Sequence, residues 1–212
     1  MQADAAWETV ATERRAFADL LDPLSPAQWE APSLCGAWTV REVATHMMVG
    51  QTGTFAGFLS AMVKARGRFD VANQVLVDRR SSRPTSQIAD DFRSHAEHRF
   101  APPTMDWHAP LADLLVHRLD VIVPLGLPSD RPLDAWPEVL GFIVSRKAQM
   151  GFTAAGQPAL SYRATDVDWT HGAGPEVSGP AEVLALALTR RAARLDELDG
   201  PGAAELRAWT EG

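Results

Sequence analysis

Residues 38–57 read Trp38-Thr39-Val40-Arg41-Glu42-Val43-Ala44-Thr45-His46-Met47-Met48-Val49-Gly50-Gln51-Thr52-Gly53-Thr54-Phe55-Ala56-Gly57. Thr39 followed three residues later by Glu42 is a capping box, in which each side chain satisfies a backbone N–H that the first helical turn leaves open. Trp38 before the cap and Val43 within the first turn are placed as a hydrophobic staple. The spacing predicts a helix from Val40 to about Lys64. His46 and Gly50, Gly53 and Gly57 lie on one stripe of it. Each glycine costs about 0.5–1 kcal/mol against alanine in a helix interior. Three on one stripe therefore mark either a groove beside His46 or a close contact with a second helix.

The flanking sequence supplies partners for that helix. Trp7, Val10, Phe17 and Leu21 recur at helical spacing over residues 3–22, and Pro23 and Pro26 end the run. Residues 65–86, rich in arginine, read as a long connection with a short apolar patch at Val75–Val77. A third helix is expected over Thr85–Phe100. A fourth follows Pro102 and Pro103, over Pro110–Gly126, closed by Gly126-Leu127-Pro128. Four helices with one extended crossover predict a mostly α chain built on an antiparallel four-helix bundle, whose interior can hold metal ligands. Residues 1–150 are assigned to it, with a further helix at Ala135–Met150. Residues 151–212 are assigned to a small C-terminal α/β module, with strands at Ala159–Ala164 and Val167–Thr170, a loop over His171–Pro180 and a helix over Pro180–Leu198.

Composition narrows the function. The net charge of -7 argues against a nucleic-acid partner. No segment approaches the roughly 20 apolar residues of a membrane span, and the first residues lack a signal peptide's pattern. A cytoplasmic protein, monomer or homodimer, with no membrane partner is expected. Cys35 is the only cysteine, so a metal site must be built from histidine and carboxylate groups.

On the fourth helix Asp113, His117 and Asp120 share one stripe, with the first two four residues apart. Asp113 and His117 are a candidate ligand pair, with His46 as a third donor. Asp120 is positioned to orient a ligand or activate a water. The pattern equally permits a solvated face, since Leu115, Leu119 and Ile122 lie opposite, and a core role for His46. Cys35 reads as an inert thiol in a turn, and His95 and His98 as solvated residues of a polar helix face.

Three separated motifs carry a resemblance. Leu34-Cys35-Gly36-Ala37-Trp38-Thr39-Val40-Arg41-Glu42-Val43-Ala44-Thr45-His46 resembles the opening signature of the mycothiol-dependent maleylpyruvate isomerase family, within the DinB-like metal-binding bundles. Leu115-Val116-His117-Arg118-Leu119-Asp120 with Pro124-Leu125-Gly126 is similar to its second motif. Arg163-Ala164-Thr165-Asp166 through Trp169, then Gly172 to Gly179-Pro180-Ala181-Glu182, is similar to its C-terminal module. The resemblance implies a DinB-like bundle in which His46, Asp113 and His117 share a divalent metal, zinc before nickel or iron. Mycothiol is implied as thiol cosubstrate and a small electrophile as substrate. The isomerase itself carries glutamate where this chain has the shorter Asp113. Asn73, Arg79 and Arg80 in the long connection are the expected contacts for the thiol or a substrate carboxylate. The implied activity is an isomerase or S-transferase. A metal-dependent hydrolase and a non-catalytic metal-binding protein are the alternatives.

Overall fold

The computed structural model describes residues 1–36, 38–52, 55–101, 105–150, 153–154 and 156–212. Gly53 of the glycine stripe, Ala37 of the first motif, and Pro102 and Pro103 lie outside the described residues. The chain divides into two compact units, Met1–Gly126 and Leu127–Gly212.

In the first unit α1 (Ala3–Leu21) is followed by the single turn α2 (Pro26–Trp29), which opens with a complete Ser25/Gln28 capping box. Then come α3 (Val40–Thr52), α4 (Phe55–Lys64), α5 (Phe69–Asp78), α6 (Thr85–Ser94) and α7 (His108–Leu125). Helices α1, α6, α3 and α7 close a ring in which each packs on two neighbours, the expected four-helix bundle. Val10, Phe17, Val43, Ile88, Phe92, Leu111 and Leu119 fill its centre, and Phe17 meets Phe92 edge-on at 5.1 Å between ring centroids.

The capping box at α3 forms as read: Thr39 N–H donates to Glu42 Oε2 at 2.8 Å, and Glu42 N–H to Thr39 Oγ1 at 3.3 Å. Gly126 ends α7 in the left-handed conformation, φ 63°, with its N–H on the Ile122 and Val123 carbonyls. Three expectations in this unit need correction. The helix expected over Thr85–Phe100 ends at Ser94. The described residues of the helix expected over 40–64 fall in α3 and α4, on either side of residues 53–54. The connection read over 65–86 contains α5, because Ala72 and Val77 are buried, and Ala72, Val71 and Leu76 pack with Ala61, Met62 and Ala65 of α4 and its C-terminal turn. The arginines that suggested a loop flank this helix.

The second unit contains α8 (Trp136–Ile143), strands β1 (Ser161–Ala164), β2 (Thr170–Gly172) and β3 (Glu176–Gly179), then α9 (Ala181–Leu188) and α10 (Ala203–Glu211). The sheet order is β2-β1-β3, with β1 antiparallel to β2 and parallel to β3. Every residue of α9 is buried, so it is the centre of this unit, packed by α8, α10, β1 and β3. Its N-cap is Pro180; the open N–H of Ala181 donates instead to Asp166 Oδ1 at 2.9 Å, which gives the third motif's aspartate a structural task. The boundary expected at residue 150 lies beyond the observed division because Trp136, Val139, Leu140 and Ile143 of α8 belong to this second core. Strand β3 and helix α10 replace stretches read as loop or left unassigned, and the helix expected to run to Leu198 stops at Leu188. Among the described residues no helix is long and apolar enough to cross a membrane.

Candidate metal centre

Helix α7 packs between α1 and α3 in the bundle. Residues 114–122 are all buried, as are Ala109, Leu111 and Ala112, so the stripe carrying Asp113, His117 and Asp120 faces protein and not solvent. It faces α3, and there the third donor is His46. His46 Nε2 lies 3.6 Å from Asp113 Oδ1, and His117 Nε2 lies 3.4 Å from the same oxygen. The two imidazole rings meet edge-on with centroids 5.0 Å apart. The three ligand atoms lie within 4.8 Å of one another.

Those separations test whether the donors fit an ion. A tetrahedral zinc with ligand distances of 2.0–2.1 Å has ligand–ligand edges of roughly 3.3–3.4 Å. The observed 3.4 and 3.6 Å match that edge and exceed the usual length of a good N–H···O hydrogen bond. Two imidazoles and one carboxylate are the donor set of an open site. The side chains of His46, Asp113 and His117 keep 15%, 26% and 10% of their surface exposed, so an ion can reach them.

The other nitrogen of His117 is held from behind. Its Nδ1 lies 2.8 Å from Asp120 Oδ2, a hydrogen-bond length, and Asp120 has no exposed surface. Cys35 Sγ comes within 4.8 Å of a His117 ring nitrogen and an Asp120 carboxylate oxygen, and Leu34 N–H donates to the Asp120 carbonyl at 3.1 Å, pinning the first motif onto α7. Cys35, His117 and Asp120 therefore form a second cluster on the far side of the imidazole. A carboxylate behind a ligating histidine fixes its tautomer and orientation. Cys35, read from sequence as an inert thiol in a turn, stands on this side of the ring beside Asp120.

Charge follows the geometry. Burial disfavours ionised Asp113, yet the charges and hydrogen bonds of His117 and His46 outweigh it and hold the carboxyl far below the usual range. Burial likewise disfavours a charged His117, but Asp113, then Asp120 and Cys35, raise its pKa well above the ordinary imidazole value. Arg14 of α1 is buried nearby in the electrostatic sense: burial lowers its guanidinium to about 10, partly offset by attraction to Asp113 and Glu97. Its NH1 group donates to the carbonyls of Ala96 (2.9 Å) and His98 (2.7 Å). His98 is exposed, as expected, but it lies beyond the end of α6 and its ring hydrogen-bonds the Gln51 carbonyl near the end of α3. Arg14 was detectable: it stands on the apolar stripe of Val10, Phe17 and Leu21, where a charge demands partners.

Trp38 does more than staple a helix. Its ring lies 5.0 Å from that of His46, tilted by 46°, and its indole N–H donates to Gln74 Oε1 of α5 at 2.7 Å. The remaining expected residues scatter. Arg80 donates to Thr52 Oγ1 at 2.6 Å and touches Met48, tying the turn after α5 to α3; burial lowers its pKa. Asn73 is partly buried on α5, and Arg79, its C-cap, is exposed. Among the described residues a Cβ at Gly50 would meet nothing within 4 Å, so none of the described helices presses against the stripe at that position.

Residues 10–136, more than half of the chain, match the family model of the mycothiol maleylpyruvate isomerase N-terminal domain. A crystal structure of a histidine-to-alanine mutant of the mycothiol-dependent maleylpyruvate isomerase is similar, with a TM-score of 0.62 at 12% identity over 96% of this chain and 94% of that one. At that identity the likeness speaks for the fold. No curated protein matches the chain.

Proposed function

The chain belongs to the mycothiol maleylpyruvate isomerase N-terminal domain family, and on that premise we propose that it is a cytoplasmic, metal-dependent enzyme that uses mycothiol against a small electrophile. His46, Asp113 and His117 are the proposed holders of a divalent ion, zinc first. The observation that carries this reading is their spacing: one carboxylate oxygen stands 3.6 and 3.4 Å from two imidazole nitrogens contributed by two helices. When bound, such an ion lowers the pKa of a thiol at its open position and polarises a nearby carbonyl.

The chain's own residues divide the remaining work. Asp120 accepts the Nδ1 proton of His117, keeping Nε2 free to face the ion; buried as it is, it positions His117 and does not meet substrate. An isomerase would add the thiol sulfur to an activated double bond and expel it after rotation. An S-transferase would displace a leaving group. Both begin with the same nucleophile, so one site serves either. Asn73 of α5, next to Gln74, and exposed Arg79 at its C-cap are the proposed contacts for the thiol or a substrate carboxylate, with Arg80, the next residue, tied to Thr52 of α3.

Metal analysis of purified protein tests the site. One ion per chain is expected, and His46→Ala should lose it; full metal content in that variant overturns the assignment. Electrophiles screened with and without mycothiol, following thiol loss and return, test the chemistry. Turnover that ignores mycothiol would favour a hydrolase.

A further inference from the structure

We propose that Gln74 and Trp38 form a positioning relay that sets the ring of His46, so that α5 takes part in building the metal centre. The proposal rests on the reading of His46 as a ligand. His117 is oriented by a buried carboxylate, whereas His46 meets an aromatic wall, the Trp38 ring at 5.0 Å. A ligating imidazole needs its rotation fixed, and a packed ring fixes it only if that ring is itself fixed. The Trp38 backbone is held on both sides: its N–H donates to the Cys35 carbonyl at 3.1 Å, and its carbonyl accepts from Ser33 N–H at 2.9 Å and Ser33 Oγ at 2.7 Å. The indole is then set by its one donor, Nε1–H, on Gln74 Oε1 at 2.7 Å. Gln74 presents oxygen to the indole because its Nε2 donates to Asp78 Oδ1, also at 2.7 Å. A chain of contacts therefore runs Asp78, Gln74, Trp38, His46, from α5 into the ligand set.

Zinc affinity of the full chain, read by competition with a chromophoric chelator, tests the relay. Gln74→Met keeps the side chain's length and removes the acceptor; Trp38→Phe keeps an aromatic wall and removes the donor. Each is expected to weaken zinc binding about tenfold, the lower end of what outer-shell partners contribute. Because both break one bond, the double variant should bind within about twofold of the weaker single. Gln74→Met with wild-type affinity, or effects that multiply, would overturn the relay, as would a loss of melting temperature with no change in affinity. If Trp38→Phe fails to fold, Gln74→Met against wild type decides alone. A wild-type protein that binds no zinc is seen before any variant is made, and overturns the metal reading and the relay together.

Discussion

His117 is held between two aspartates of its own helix, with Asp120 Oδ2 2.8 Å from Nδ1 and Asp113 Oδ1 3.4 Å from Nε2. The first separation fits a shared proton and the second fits two ligands of one ion. In the proposed site, residues four and three apart on α7 divide into a donor pair and a support. Asp120→Asn preserves the shape but offers Nδ1 an amide whose orientation is no longer fixed by charge. Zinc affinity is expected to fall about 10- to 100-fold, with the fold intact by circular dichroism. Unchanged affinity would remove Asp120 from the centre.

In the proposed metal centre, proton and metal compete for His117. Without metal its folded pKa is raised, so its pairing stabilises the protein fully below the ordinary imidazole value of about 6.5 and ceases to do so as pH rises through the folded pKa. Asp113, held low, contributes above the ordinary carboxylate value of about 3.9 and loses its contribution as pH falls through its own folded pKa. The metal-free pair therefore stabilises most between those two ordinary values. A metal must displace the His117 proton, so zinc binding near pH 7 should release about one proton and tighten as pH rises. Calorimetry in buffers of different ionisation enthalpy reads that number directly; a release of zero would contradict the pairing.

Arg14 holds two carbonyls of the segment that leads from α6 toward α7. Arg14→Met leaves both oxygens without that donor in a buried setting, at about 2–4 kcal/mol. Thermal melts should show the midpoint falling by roughly 5–15 °C. A shift within 1 °C of wild type would mean that water replaces the guanidinium at no cost.

Local signals made the bundle legible. Thr39 and Glu42 announce the start of α3, and Gly126 the end of α7, because a cap is decided by residues a few positions apart. Helix α5 was hidden by Arg66, Arg68, Arg79 and Arg80, whose charge outweighs a short apolar face in any window average. Strand β3 pairs in parallel with β1 across a dozen residues and buries Val177 and Gly179, so nothing local marks it. At the site, periodicity could align Asp113, His117 and Asp120, but it left solvent and core equally open. Burial of the whole of α7 between 114 and 122 settles which way that stripe points. The approach of Cys35 to His117, and of Gln74 to Trp38, joins residues far apart in sequence and required the fold.

The second unit offers a sharp test of backbone geometry at Gly172, the last residue of β2. Its φ of +82° lies where side chains are disfavoured, and a Cβ there would stand 2.2 Å from the Leu160 carbonyl oxygen. Gly126, which ends α7, shares the positive φ, at 63°, but a Cβ there meets nothing within 4 Å. Alanine at both positions separates the two effects. Gly126→Ala should cost only the left-handed conformation, about 1 kcal/mol. Gly172→Ala adds a clash with backbone, which cannot swing aside as a side chain would, and must push β2 from its pairing with Ser161. Its cost should exceed that of Gly126→Ala by about 1–3 kcal/mol, the range of overpacking. Hydrogen exchange would show the loss as faster exchange at the amides that pair β1 with β2, while α1, α3, α6 and α7 keep their protection. Equal costs at the two glycines would mean that the Leu160 carbonyl does not press on this strand.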